Sequence, residues 1–146
     1  MTSQSGAGIT TPHSSRGASF GDFDNDGDLD WLVMNMNEPP SLIRNDYAGK
    51  NHWLKIKTVG TQSNRTGLGA RVTVTAGGQT QTQTVLSKSS YYSHDDRRLH
   101  FGLGANAKAA QVTIAWPSGK VEVLKDVVAN QVLVVKESQL TPRKKR

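Results

Sequence analysis

Apolar and β-branched residues alternate with polar ones along HWLKIKTV (52–59), ARVTVTA (70–76) and QVTIAW (111–116). A period of two sends successive side chains to opposite faces, which is the pattern of half-buried strands and not of amphipathic helices. Turn residues separate these runs. Gly77-Gly78 is a two-residue hairpin signal. PSGK (117–120) sets a proline where its fixed φ starts a turn and a glycine where the turn closes. GTQSNRTGLG (60–69) and KSSYYSHDDRR (88–98) are polar loops. With LHFGLG (99–104) and the return runs QTQTQTVLS (79–87), VEVLKDV (121–127) and VLVVKE (132–137), the expectation is about seven strands after residue 51, arranged as an antiparallel sandwich or barrel-like domain. The continuous apolar run in 132–137 predicts burial on both faces. The Gln79/Gln81/Gln83 and Thr80/Thr82/Thr84 stripes predict a solvated edge or outer strand.

Bulk composition agrees with an all-β chain. Its 146 residues contain fourteen Gly, five Pro and only 35% apolar residues, and Val, Thr and Ile recur without long helix-forming runs. Cysteine is absent, which removes disulfides, thiolate metal sites and cysteine nucleophiles together. No run of eighteen apolar residues predicts a membrane span. MTSQSGAGITTPHSS lacks the charged and apolar parts of a signal peptide, so an exported parent would carry its address outside this chain. The formal charge is +6, yet residues 143–146 alone supply four of the eighteen basic groups. Residues 138–146 read as a solvated basic tail, and no basic stripe interleaved with aromatics points to nucleic acid. Residues 1–15, rich in Ser, Thr and Gly, are expected to be disordered.

Against that basic background, GDFDNDGDLD (21–30) concentrates five of the twelve acidic residues in nine positions. ASF (18–20) reads as a strand entering this loop, and WLVMNM (31–36) as one leaving it. SLIRN (41–45), beyond the NEPP turn, reads as a further short strand. Carboxylates at alternate positions share one face and repel, so something must neutralise them. Calcium takes six to eight oxygen ligands at about 2.3–2.6 Å and tolerates irregular geometry. Asp22, Asp24 and Asp26 occupy the first, third and fifth places of such a loop. Gly27 supplies a turn with positive φ at the sixth. Asp28 offers its backbone carbonyl at the seventh and Asp30 follows at the ninth. The hard anionic donors argue against zinc or copper. Magnesium is the nearer competitor. The twelfth place is Val33 and not the glutamate of an EF-hand, so the expectation is strand, calcium loop, strand.

RGASFGDFDNDGDLDWLV resembles the FG-GAP/VCBS type of repeat, the calcium-loop hairpin of β-propeller blades. NHWL, GLGARV, HFGLG and WPSGK, in that order, resemble the ASPIC/UnbV domain, which follows such propellers in cartilage acidic proteins and in many bacterial exported or surface proteins. The resemblance implies a calcium-loop hairpin over 16–47, as part of a propeller blade, and an ASPIC/UnbV-like β domain over 48–137. It implies calcium held by Asp22, Asp24, Asp26, Asp28 and Asp30, and an extracellular, cell-surface or periplasmic setting. It implies no catalytic activity.

The expected role is therefore a non-enzymatic, calcium-binding β module acting in adhesion, scaffolding or protein–protein interaction. Exposed strand edges of a lone blade fragment would favour homo-oligomers. Two alternatives stay open. Trp53, Trp116, Tyr91 and Tyr92 could form an aromatic platform for carbohydrate. Ser87, Ser89, Ser90 or Ser93 with His94, Asp95 and Asp96 compose a hydrolase set on paper, although no nucleophile elbow accompanies them. His52 and His100 read as sheet-face residues. Gly67, Gly69, Gly102 and Gly104 read as turn and bulge residues.

Overall fold

The computed structural model describes residues 7–46, 49–88 and 91–138. It resolves into two compact units, one of residues 1–49 with 87–96, the other of 50–86 with 97–146. The described chain is all-β apart from a single helical turn, α1 (Ala7–Thr10).

The first unit is a three-stranded antiparallel sheet in the order β1 (Ser15–Gly21), β2 (Asp30–Asn35), β3 (Ser41–Ile43). The expected strand pair thus flanks the acidic loop, with Gly21 opposite Asp30 at its base. Phe20 lies opposite Trp31, and their rings meet edge to face at 5.5 Å. The segment expected to be disordered is described from Ala7 onward. Beyond α1, the Ser14 carbonyl accepts the Met36 N–H at 2.8 Å. Residues 1–6 lie outside the described residues, as do 139–146 of the basic tail.

The polar segment after Leu86 groups with this unit and borders β1. The Asp96 N–H donates to the Phe20 carbonyl at 3.0 Å, and Asp95 Oδ1 accepts the Phe20 N–H at 2.9 Å. A Cβ on Gly17 would stand 3.1 Å from the carbonyl oxygens of Tyr91 and Tyr92, so a glycine is what admits that close approach.

The second unit is a β sandwich of seven strands. One sheet runs β10 (Gln131–Lys136), β4 (His52–Val59), β7 (Leu99–Gly104); the other runs β6 (Gln79–Thr84), β5 (Arg71–Ala76), β8 (Lys108–Ala115), β9 (Val121–Val128). Both sheets send side chains into one core, including Leu54, Ile56, Phe101 and Leu103 from the first and Val72, Val74, Val112 and Ile114 from the second. Trp116 is buried at its margin and its indole N–H donates to Glu122 at 3.0 Å. The Gly77-Gly78 turn has positive φ at both residues (55° and 78°), the hairpin geometry its sequence demanded.

Two expectations need correction. The sandwich is not wholly antiparallel: β10 pairs in parallel with β4, Gln131 opposite Leu54. Nor is 132–137 buried on both faces. Val132 and Val134 point outward at 38% and 58% exposure while Val135 enters the core, because successive side chains of β10 alternate between the core face and the outer face of its sheet.

β6 is the solvated edge its composition implied, but its glutamines have a task the stripe did not announce. Gln81 and Gln83 donate side-chain N–H groups to the Gly102 and His100 carbonyls of β7, each at 2.6 Å. Side chains thus link the two sheets where no ladder does. Thr73–Thr82 and Thr75–Thr80 hydroxyl pairs at 3.0 and 3.1 Å line the outer face.

At the opposite margin Glu137 is 2% exposed. One carboxylate oxygen accepts the N–H groups of Thr61, Gln62 and Ser63 at 2.8–2.9 Å. The other accepts the hydroxyls of Ser63 and Ser118 at 2.9 and 2.5 Å. Burial is the largest influence and opposes ionisation. The Ser118 hydroxyl and the Ser63, Thr61 and Gln62 amides together outweigh it, and the carboxyl pKa falls from 4.5 to about 2. A depressed folded-state pKa stabilises in full above pH 4.5, and that contribution is lost as pH falls through about 2. Glu137→Gln is expected to cost about 1–3 kcal/mol at neutral pH. It should also flatten the decline of stability below pH 4.5, read by urea melts at several pH values. A variant with wild-type stability and an unchanged pH slope would contradict the clamp.

Candidate metal centre

The loop between β1 and β2 turns back through two residues of positive φ, Asn25 at 61° and Gly27 at 108°. Gly27 was expected to carry the bend. Asn25 was not singled out, although asparagine tolerates the left-handed region better than most residues. The Gly27 N–H donates to Asp22 Oδ2 at 2.8 Å across the loop. The Asp26 N–H donates to Asp24 Oδ1 at 3.3 Å, and the Asp28 N–H to Asp26 Oδ1 at 2.8 Å. Asp24 and Asp26 thus each cap the backbone two residues onward, which folds this part of the loop into successive tight turns, while Asp22 closes it across five residues.

The five expected ligands separate into two groups. Asp22, Asp24 and Asp30 bring one carboxylate oxygen each within 4.8 Å of one another. Asp22 and Asp30 are buried and Asp24 is exposed. Asp26 is exposed and its carboxylate is not part of this convergence; Asp28, expected to contribute its backbone carbonyl and not its carboxylate, is half-buried.

Asp30 also has a structural task. Its Oδ2 accepts the Phe23 N–H at 3.0 Å and its Oδ1 accepts the Asn45 N–H at 2.9 Å. It therefore ties the loop's start to the chain beyond β3. The Asn45 contact spans fifteen residues and has no local sequence signal.

The three carboxylates are spaced as a hard divalent cation such as calcium would require. All three converging ligands are anionic oxygens. Two oxygens sharing one ion at about 2.3–2.6 Å can be no more than about 5 Å apart, and the observed spacing satisfies that limit. Arg44 is a basic residue whose titration acids of this loop reach. Its pKa is raised by a hydrogen bond to Asp46 and by that carboxylate's charge, with smaller contributions from Asp24 and Asp26. Its Nε sits 2.7 Å from Asp46 Oδ1, so its strongest partner is not one of the three converging acids.

The other sequence constellations fare differently. Trp116 is a core residue, whereas Trp53 is half-buried, stacked on His100 at 6.3 Å with Lys55 Nζ 4.8 Å from its ring. Tyr91 and Tyr92 are exposed and meet edge to face at 4.3 Å. In the paper hydrolase set, the Ser93 hydroxyl donates to the Tyr91 carbonyl at 2.9 Å, and Asp95 Oδ1 is engaged by β1. Ser89 and Ser90 lie outside the described residues. His52 and His100 are half-buried residues of β4 and β7. Among the described residues no helix is long and apolar enough to cross a membrane.

A family model described as ASPIC and UnbV matches residues 60–142. The match takes in the strands from β5 onward, while the acidic loop lies outside it. No curated protein matches the chain.

Gly27→Ala tests the loop's backbone. A side chain at φ 108° is strained by about 1–3 kcal/mol. The expected outcome is a lower calcium-free melting temperature for the first unit, followed by the NMR signal of the Trp31 indole N–H. An unchanged melt would mean that the loop relaxes without cost.

Proposed function

With the chain belonging to the ASPIC and UnbV family, we propose that it is a non-enzymatic, calcium-binding β module of an exported or cell-surface protein, acting in adhesion or scaffolding. The observation that carries this reading is the convergence of the Asp22, Asp24 and Asp30 carboxylates at the neck of one hairpin. Those three residues would hold the ion, with Asp26 and the Asp28 carbonyl as further oxygen donors. Bound calcium would neutralise charge that the loop otherwise confines at short range. The hairpin over 16–47 would then be an FG-GAP/VCBS-type repeat preceding the ASPIC/UnbV domain, the arrangement of the cartilage acidic and bacterial surface proteins that the sequence resembles.

The chain's own residues supply the scaffold part of the role. The loop is anchored through Asp22 to Gly27 and through Asp30 to Asn45, so an ion there would stiffen β1, β2 and the chain after β3 together. The sheet they form carries exposed apolar side chains, among them Trp31, Leu32, Met34 and Leu42. Apolar surface of that kind marks contact surfaces more often than solvated ones. The burial of Trp116 removes one member of the carbohydrate platform, while Trp53 is half-buried and Tyr91 and Tyr92 are exposed.

Calorimetric titration tests the metal. Calcium is expected to bind with a dissociation constant of about 10⁻⁴–10⁻³ M and to raise the melting temperature. Asp22→Asn should weaken binding at least about tenfold, and magnesium should bind more weakly. Absence of heat and of any thermal shift at millimolar calcium would overturn the assignment.

Association tests the scaffold. β3 is the outer strand of its sheet, and among the described residues only β2 pairs with it. Sedimentation equilibrium is expected to show concentration-dependent dimers through this edge. A monomer over a hundredfold range of about 1–100 μM, with calcium present, would count against association by that route.

A further inference from the structure

A pocket of about 360 Å³ opens in the second unit, lined by Lys57, Thr58, Val59, Arg65, Thr66 and Arg97. Half of these residues are cations and none is an acid. From this pocket we infer a binding site for a tetrahedral oxyanion, a phosphate or sulfate group, recognised by Lys57, Arg65 and Arg97.

Three elements bring the cations together. Lys57 lies near the end of β4 and Arg97 two residues before β7. Ile56 pairs with Leu99, so the antiparallel ladder places the end of one strand beside the approach to the other. Arg65 comes from the loop after β4, and that loop is held in place. Its carbonyl accepts the Gly60 N–H at 3.1 Å. Thr58 Oγ1 donates to the Thr66 carbonyl at 3.2 Å, and Asn64 Oδ1 accepts from the N–H and hydroxyl of Thr66 at 3.0 and 2.7 Å. Glu137 fixes the same loop from its other side through Thr61, Gln62 and Ser63. The arginine's backbone is thereby positioned before any ligand arrives, which lowers the ordering cost of binding.

Charge favours the same ligand. The second unit holds fifteen Lys and Arg residues against three acids, Glu122, Asp126 and Glu137. Two of those acids are committed elsewhere: Glu137 to the loop amides, and Glu122 to Trp116 and the Ser138 N–H. Among the described residues neither Lys57 nor Arg65 makes an ion pair. Cations lining one concavity repel each other and raise its local potential, and a multiply charged anion offsets that repulsion. Arginine forks suit the oxygens of a tetrahedral group, with lysine as a point charge beside them. No residue of the acidic loop takes part, so this site stands or falls separately from calcium.

The test is a titration of the full chain with sodium phosphate and, separately, sodium sulfate, at ionic strength held constant with sodium chloride. Backbone amide shifts of Gly60, Arg65, Thr66 and Arg97 are followed by NMR. Saturable shifts at these amides with either ion are expected, and the tighter-binding ion identifies the ester to seek. Lys57→Gln and Arg65→Gln, both at exposed positions, should each weaken binding at least about fivefold, the loss of one charge-assisted contact. Arg71→Gln, an exposed arginine outside the pocket, should leave it unchanged. Non-saturating shifts with both ions, or an equal loss in Arg71→Gln, would overturn the site.

Discussion

Two sheets that share an apolar core but no backbone ladder must be held together at their margins by side chains, and the second unit is organised around that constraint. The apolar interior supplies most of the driving force, because Leu54, Ile56, Phe101, Val72, Val112 and Ile114 are wholly removed from water. Burial of this kind is non-directional, and polar contacts add directional links between the sheets at their margins. Gln81 and Gln83 bind β7 carbonyls at one margin. At the other, Glu137 joins the loop after β4 to Ser118 in the turn between β8 and β9. Glu122 adds a third link, accepting from Trp116 and Ser138. A buried carboxylate is costly unless its lone pairs are filled, and Glu137 is tolerated because five donors fill them.

Charge is distributed as unevenly as structure. The first unit carries nine acidic residues and three basic ones, whereas the second is strongly basic. A net charge of +6 conceals this opposition, since a sum taken over the whole chain averages two fields of contrary sign. Each unit gathers some of its charge on hydrogen-bonded backbone: five acids in a loop of tight turns, three cations beside a loop held by Glu137. Charges gathered on rigid backbone cannot spread apart to relieve their repulsion, which is the condition under which counter-ion binding is most favourable.

Strands were legible because period-two alternation is a local signal. All seven strands of the sandwich lie within a few residues of their expected positions, and the Gly-Gly hairpin and the PSGK turn lie where residue chemistry requires them. What stayed hidden was non-local. Nothing in QTQTQT says that its glutamines reach another sheet, and nothing in VLVVKE reveals that one face meets solvent and that its partner is parallel. The acidic loop was legible as a pattern, and its glycine bend fell where expected. Which carboxylates approach one another was not legible, because Asp22 and Asp30 meet across the loop and not along it. Nor could sequence show that residues 87–96, between two strands of the sandwich, belong with the earlier hairpin.

The parallel pairing of β10 with β4 has a consequence in time. Residues 131–136 are partners of 54–59, so the sheet's middle strand waits for the last strand to be made before its ladder is complete. Emerging from a ribosome, β4 to β9 would carry an unsealed core flank until the remaining segment arrived. Closing a loop of that length is a slow, entropy-limited step. During synthesis β10 can dock only after β4 to β9 have emerged, and until then one edge of β4 has no partner strand.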